Sequence, residues 1–266
     1  MSKVILITGA SSGFGKATAE LLASKGNIVY GTSRHEIMHN TIKFLKLDVR
    51  DADAVAEQVR AVVAQEGRID VLINNAGMGI GGSLELATQE EIRVQMDTNF
   101  MGCVNLCQKV LPYMRKQGYG KIINLSSIGG VMGLPYQGFY SASKFAIEGF
   151  SEALSAEVKR FGITVSMVEP GDFATNFTAS RKNSQATLQD PAYGPVFKHS
   201  LEIIENEENG GLKPEILAQT IAKSVDCRKP RLRYVVANFE QKLSVAVKRI
   251  LPGNMFVNIL RDYYKS

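Results

Sequence analysis

Apolar residues fall into short unbroken runs, separated by longer stretches in which they recur every three or four positions. The runs at 4–7, 28–32, 42–47, 71–74, 121–125, 163–168 and 233–237 read as strands. Their near-continuous apolar character is that of strands covered on both faces, as in a parallel sheet. Between them the helical period predicts helices from the turn after residue 8 to about 25, then over 52–65, 88–117 and 137–160. Thr88 with Glu91 three residues on has the pattern of a capping box opening the third of these. Strands alternating with helices predict an α/β fold in three layers. No repeat, low-complexity segment or linker interrupts the alternation, so 1–266 reads as one domain.

Composition narrows the class. At 266 residues and 45% hydrophobic content the chain can bury a full core. Three cysteines without a CxxC fit a reducing compartment, with Cys103 and Cys107 as packing residues. The chain enters a strand within four residues, and no apolar run approaches the length of a spanning helix. A soluble, cytoplasmic protein is expected. The net charge of +5 is scattered; its one cluster, Arg228, Lys229, Arg231 and Arg233, reads as a solvated strand entry rather than a nucleic-acid site.

Candidate chemistry lies in two places. Tyr140 and Lys144 are four residues apart on a predicted helix, so they share a face, and an adjacent cation is expected to lower the phenol pKa from about 10. The stretch TGASSGFG at 8–15 lies directly between a strand and a helix. Glycines there let backbone amides approach a pyrophosphate at the positive end of the helix. Folds that use NAD place an acid about 20 residues on, whereas an Arg accommodates the 2′-phosphate of NADP. Here the second strand ends in Thr32, Ser33 and Arg34, with no acid. NADP(H) is therefore the expected cofactor, with NAD(H) possible.

With TGASSGFG, Asn74-Asn75-Ala76-Gly77, Asn99, Ser127, Tyr140-x3-Lys144 and Pro170-Gly171 in this order, residues 3–178 resemble the short-chain dehydrogenase/reductase family. The resemblance implies a doubly wound Rossmann fold whose seven parallel strands run in the order 3-2-1-4-5-6-7. It also implies hydride transfer between a nicotinamide and a carbonyl or alcohol. By the same resemblance Tyr140 would give the proton to the carbonyl oxygen, Ser127 would hold that oxygen, Lys144 would bind the nicotinamide ribose, and Asn99 would anchor a relay water. Gly9, Ser11, Ser12, Gly13, Phe14 and Gly15 would cradle the pyrophosphate, and Asp48 and Val49 would flank the adenine. Asn75, Ala76 and Gly77 would leave room for the cofactor, while Pro170, Gly171, Phe173 and Thr175 would meet its carboxamide and pyrophosphate. Phe173 departs from the usual aliphatic residue, so only its backbone role carries over. Related enzymes pair two long helices between subunits, and the stripe Ala142, Ala146, Gly149, Ala153 and Ala156 fits a homodimer or homotetramer.

His35, Glu36 and His39 spell HExxH, but in an expected loop and with only His199 left as a further histidine, so no metal is expected. Asn124 and Asn176 match glycosylation acceptors without further support. The final third, 180–266, decides the substrate. A polar stretch at 180–195 reads as a mobile loop. Helical segments at 196–207, 214–226, 239–250 and 254–263 resemble the tail of hydroxysteroid and retinol dehydrogenases. A cover over an apolar cleft walled by Val131, Met132, Leu134 and Tyr136 is the favoured reading; extra core, a subunit contact or a membrane-surface role remain alternatives. The function expected is reduction of an apolar ketone or aldehyde, or the reverse oxidation, with acyl-thioester ketoreduction or a silent dinucleotide sensor as rivals.

Overall fold

A computed structural model describes residues 2–265. Seven strands form one parallel sheet: β1 (Val4–Ile7), β2 (Ile28–Ser33), β3 (Ile42–Lys46), β4 (Val71–Asn74), β5 (Gly120–Leu125), β6 (Ile163–Pro170) and β7 (Arg233–Val236). Their spatial order is β3-β2-β1-β4-β5-β6-β7, the doubly wound order expected. The order reverses beside β1, which opens a crevice at the carboxyl ends of β1 and β4.

Alternation within each strand sorts the core into two layers. Val4, Leu6, Leu72 and Ile122 face α2 (Ala52–Glu66), α4 (Gly102–Gln117) and α5 (Gly138–Val158), and both Cys103 and Cys107 pack there. Ile5, Ile7, Ile73 and Ile123 face α1 (Gly13–Ser24) and α7 (Pro214–Asp226). A third, smaller cluster joins Met132 to Val245 of α8 (Phe239–Lys248) and Phe256 of α9 (Gly253–Tyr264). Fully burying a side chain of this size contributes roughly 1.5 to 3 kcal/mol, so this cluster fastens the C-terminal helices over the ends of the strands. Ser200 on α6 (Gly194–Asn209) donates to the Tyr264 carbonyl at 2.9 Å and anchors the other side of α9.

The structure corrects four expectations. The single helix at 88–117 is α3 (Gln89–Met96), a π turn (Asp97–Met101) and then α4, although Thr88 and Glu91 do form the capping box. The cause sits at Asn99, whose amide accepts from Met78 N at 2.9 Å and donates to Met78 O at 3.0 Å. One widened turn holds it toward that loop. The segment 180–195 is built rather than loose: Lys182–Asn183 pairs with Ile80–Gly81, Gln185–Gln189 is helical, and Arg181 is buried in an ion pair with Glu208. Arg233 is not simply solvated; it pairs with Glu148 at 2.9 Å and Glu152 at 2.8 Å and faces the fully buried Glu169 at 3.5 Å. Finally, Tyr136 turns away from the cleft, at φ 56°, to stack on Phe197 at 5.2 Å, and Val131 packs into the third cluster. Met132 and Leu134 do line the cleft.

The small-residue stripe of α5 lies largely on the outer face, with nothing within 4 Å of a side chain built at Gly149. HEIMH is irregular rather than helical, and His39 Nδ1 accepts from Thr41 N and Ile42 N, each at 3.2 Å. Asn124 is fully buried, bonded to Asn74 and Ser151 at 2.8 Å. Among the described residues no helix is long and apolar enough to cross a membrane.

Candidate active site

The turn after β1 is held by its neighbours. Thr8 Oγ1 accepts from the amides of Asn75 and Ala76, both at 2.9 Å, and Asn75 Nδ2 donates to the carbonyls of Thr8 and Gly9 at 2.9 and 3.0 Å. Asn75 thus secures the turn with its side chain, a structural task its motif did not disclose. Gly9 and Gly13 take φ of +65° and +51°, which costs glycine little and other residues much. Gly15 lets α1 sit directly on the turn, since an added Cβ would lie 2.2 Å from Gly9 O. Ser12 is the N-cap of α1 yet makes no side-chain capping bond, so the first amides of the helix are open to an anion. Ser11 is exposed beside it, and Thr175 lies 3.7 Å from a Cβ built at Gly13.

The crevice fits a dinucleotide on these observations: an open helix N-terminus, a turn a side chain would fill, and a flank at Gly77 bare of any side chain. A Cβ there would lie 3.4 Å from Asn99 Oδ1 and 3.8 Å from Lys144 Nζ. At the far end, Ser33 is buried and accepts from His35 N at 3.1 Å, leaving its proton free to donate. Arg34 is exposed with no ion pair among the described residues. Asp48 is gripped by Arg50 through contacts of 2.7 to 3.1 Å, which holds its carboxyl below the usual range. Val49 is buried against Gly102, and its carbonyl accepts from Asn105 at 3.0 Å. Its side chain therefore belongs to the core.

Beside this crevice is a cavity of about 460 Å³, within the usual range for small-molecule sites. Ser127, Tyr140 and Lys144 line it, and Asn99 stands behind Met78 in its wall. Ser127 lies at the end of β5, with Oγ accepting from Gly129 N at 3.0 Å, and Tyr140 and Lys144 project from the first turns of α5. Lys144 Nζ donates to Leu125 O at 2.9 Å. Ser143, which the motifs passed over, accepts from Asn99 Nδ2 at 3.0 Å and donates to Tyr140 O at 2.6 Å, coupling the π turn to α5.

The electrostatics differ from expectation. Burial pushes the Tyr140 phenol up to about 12, against a lowering influence from Ser127, and the negative charges of Glu208 and Asp172 push the same way as burial. Lys144 does not depress it: Nζ sits 5.7 Å from the ring centroid, turned to Leu125, and burial lowers its own pKa to about 8. Burial costs each group its charged form before the pair can help one another.

Gly171 N bonds to Val236 O at 3.0 Å behind Pro170, and Phe173, buried, packs edge-on against Phe14 at 4.9 Å. Phe177 tilts over Tyr140 at 5.9 Å. The rest of the lining mixes two characters. Phe256, Ile259 and Leu260 from α9 are apolar, whereas Asp172, Glu207 and Glu208 are acidic. Asp172 is pushed up to about 7, by burial first and then by Glu207 and Glu208, and Gln241 bonds to its carboxylate. No sequence motif marks these acids, because they come from the segment after β6 and the end of α6, distant in the chain.

Comparison with known proteins gives the context. The short chain dehydrogenase family model matches residues 3–186. A 3-ketodihydrosphingosine reductase of Bacteroides thetaiotaomicron is 54% identical over 263 residues, covering 98% of each chain. An NADPH-dependent 3-dehydrocapnine reductase of Ornithobacterium rhinotracheale is 33% identical, covering 98% of this chain and 96% of that protein. Among solved structures, a short-chain dehydrogenase from Streptomyces avermitilis superposes with a TM-score of 0.84 at 32% identity, over 99% of this chain and 98% of that one. With the strand order and the glycine turn already in place, these similarities show that the chain belongs to the short-chain dehydrogenase family and is an oxidoreductase.

Proposed function

We propose that this chain is an NADPH-dependent reductase of a long-chain amino ketone, with Tyr140 as the general acid. One observation carries the reading: a single cavity brings the Tyr140 phenol together with an apolar wall from α9 and an acidic wall from Asp172, Glu207 and Glu208. An alkyl chain suits the first wall and an ammonium the second, because a cation there would offset the burial, and after it the neighbouring charges of Glu207 and Glu208, that raise Asp172. The ketone in the name of the Bacteroides relative is a long-chain amino ketone, and the NADPH in the name of the Ornithobacterium relative agrees with Ser33 and Arg34 at the end of β2.

The residues divide the work as follows. At neutral pH the raised phenol of Tyr140 is protonated, the form that can donate to a carbonyl oxygen. Ser127 holds that oxygen. Lys144, charged below about pH 8, would hold the nicotinamide ribose. Asn99, its amide committed to Met78 and Ser143, fixes the wall on which a relay water would rest. The open N-terminus of α1 with Gly9, Ser11, Ser12, Gly13, Phe14 and Gly15 would take the pyrophosphate, and the segment Pro170 to Thr175 the carboxamide. When bound, the nicotinamide supplies the hydride. The outward stripe of α5 would pair subunits.

The test is NADPH oxidation with four carbonyl classes: a long-chain 2-amino-3-ketone, the same ketone without the amine, a small hydrophilic ketone and an acyl thioester. The amino ketone should lead the deaminated one by about tenfold or more in kcat/KM, the scale of a charged hydrogen bond. Asp172→Asn should narrow that gap. A best substrate among the small hydrophilic ketones or thioesters overturns the reading, as does no turnover at all.

A further inference from the structure

Helix α8 turns Val245 and Val247 toward the core and a second apolar row away from it. Phe239, Leu243, Ala246 and, just past the end of the helix, Ile250 stand at i, i+4, i+7 and i+11 and so share one narrow stripe. That stripe faces outward: Phe239 is 79%, Leu243 52% and Ile250 80% exposed. The opposite side carries Gln241, Ser244 and Val245, which face the cavity and the third cluster. Helix α9 repeats the arrangement. Phe256 and Tyr264 point inward, while Met255, Ile259 and Tyr263, at i, i+4 and i+8, are each half exposed or more. Ile259 and Tyr263 also line the cavity, so the exposed rows run to its rim.

The charges around these rows are mainly basic. Between 239 and 265 stand Lys242, Lys248, Arg249, Arg261 and Lys265 against only Glu240 and Asp262, and Asp262 is paired with Arg261 at 2.7 Å. Lys242 and Arg249 flank the α8 stripe directly and are exposed.

We propose that α8 and α9 form a docking surface for an anionic lipid bilayer, with the two apolar rows at the headgroup boundary and the basic side chains on the headgroups. An amphipathic helix with exposed Phe, Leu and Ile beside Lys and Arg has the composition of an interfacial helix. Charge complementarity selects the bilayer over a second copy of the chain. A two-fold contact through the stripe would bring the same basic flank, Lys242 and Arg249, into the interface from both copies, whereas anionic headgroups attract it. Docking in this orientation turns the cavity rim at Ile259 and Tyr263 toward the lipid, so that an apolar substrate would pass between bilayer and cavity without crossing water. The surface stands on the exposed rows themselves and does not depend on the amino-ketone reading.

The test is co-sedimentation of the purified full-length chain with vesicles of phosphatidylcholine alone or mixed with phosphatidylglycerol. The wild type should pellet with the mixed vesicles and be released as salt rises, because exposed charges are screened over about 10 Å at 0.1 M. Phe239→Ser/Leu243→Ser/Ile250→Ser alters only exposed positions away from the cavity. It should bind mixed vesicles at least about tenfold more weakly, while reducing a water-soluble ketone at the wild-type rate. Lys242→Glu/Arg249→Glu should lose the preference for mixed vesicles. Failure of the wild type to pellet, equal binding by the triple variant, or equal binding to both vesicle types would overturn the proposal. So would a self-associated wild type that the triple variant renders monomeric without any vesicle binding in either.

Discussion

Gly15 is where the cofactor reading can be tested most sharply, because the structure supplies the size of the perturbation. A Cβ at this position would lie 2.2 Å from Gly9 O, 2.5 Å from Asn75 Nδ2 and 2.9 Å from Gly9 C. Carbon contacts are comfortable at about 3.5 to 4.0 Å, so Gly15→Ala must part α1 from the turn by roughly 1 Å. The atoms it meets are the carbonyl of the turn and the Asn75 amide that bonds to it at 3.0 Å, so no flexible side chain can absorb the shift. A displacement of about 1 Å costs about 100-fold where geometry is critical, equivalent to about 2.7 kcal/mol. The expected result is NADPH affinity weakened about 100-fold by calorimetric titration, together with a lower melting temperature. Gly149→Ala serves as the control. It lies in mid-helix, far from the crevice and with nothing of its own chain within 4 Å, and should leave NADPH affinity unchanged. A Gly15→Ala chain that binds NADPH within about threefold of wild type would refute the argument that α1 must touch the turn to present its amides.

Three further outcomes follow from the site and its surroundings. Tyr140→Phe removes one hydroxyl and little packing, so ketone reduction should fall by about 10² to 10⁴ with NADPH binding retained; a loss under about threefold in steady-state kinetics would remove Tyr140 as the acid. Arg34→Ala should weaken NADPH by one to two decades and spare NADH, from the roughly 1.5 to 3 kcal/mol of a charged hydrogen bond, and equal losses in titrations with the two cofactors would contradict that role. Glu169, fully buried on β6, is raised by burial to about 7 from 4.5, so the folded chain holds an extra proton between those values and loses stability as pH rises through that window. Allowing for solvent near Arg233, Glu169→Gln should recover about 2 kcal/mol at pH 8 relative to pH 5, or roughly 4 to 8 °C; melting curves that stay parallel across this range would show that Glu169 is not protonated in the fold.

The sequence alone determined what is local or periodic. Seven apolar runs and the helices between them specify a covered parallel sheet, and a strand, a glycine turn and a helix in direct succession specify an anion site at the helix start. The capping box at Thr88 and the shared face of Tyr140 and Lys144 were equally legible, since three- and four-residue spacings fix who can meet along a helix. Tertiary structure decided what depends on neighbours far away in the chain. Nothing near Asn99 announces a π turn, which exists because Met78, 21 residues earlier, takes both ends of its amide. The pKa of Tyr140 could not be read from its spacing to Lys144, because burial of both groups and the acids Asp172 and Glu208 outweigh an intrahelical neighbour. The polar run at 180–195 looked loose until Arg181 found Glu208, 27 residues on, and was buried with it. The amphipathic pattern of residues 239–263 was visible from the start, but a helical stripe does not say which way it faces. Only the packing of Val245 and Phe256 onto Met132 turned Phe239, Leu243 and Ile250 outward.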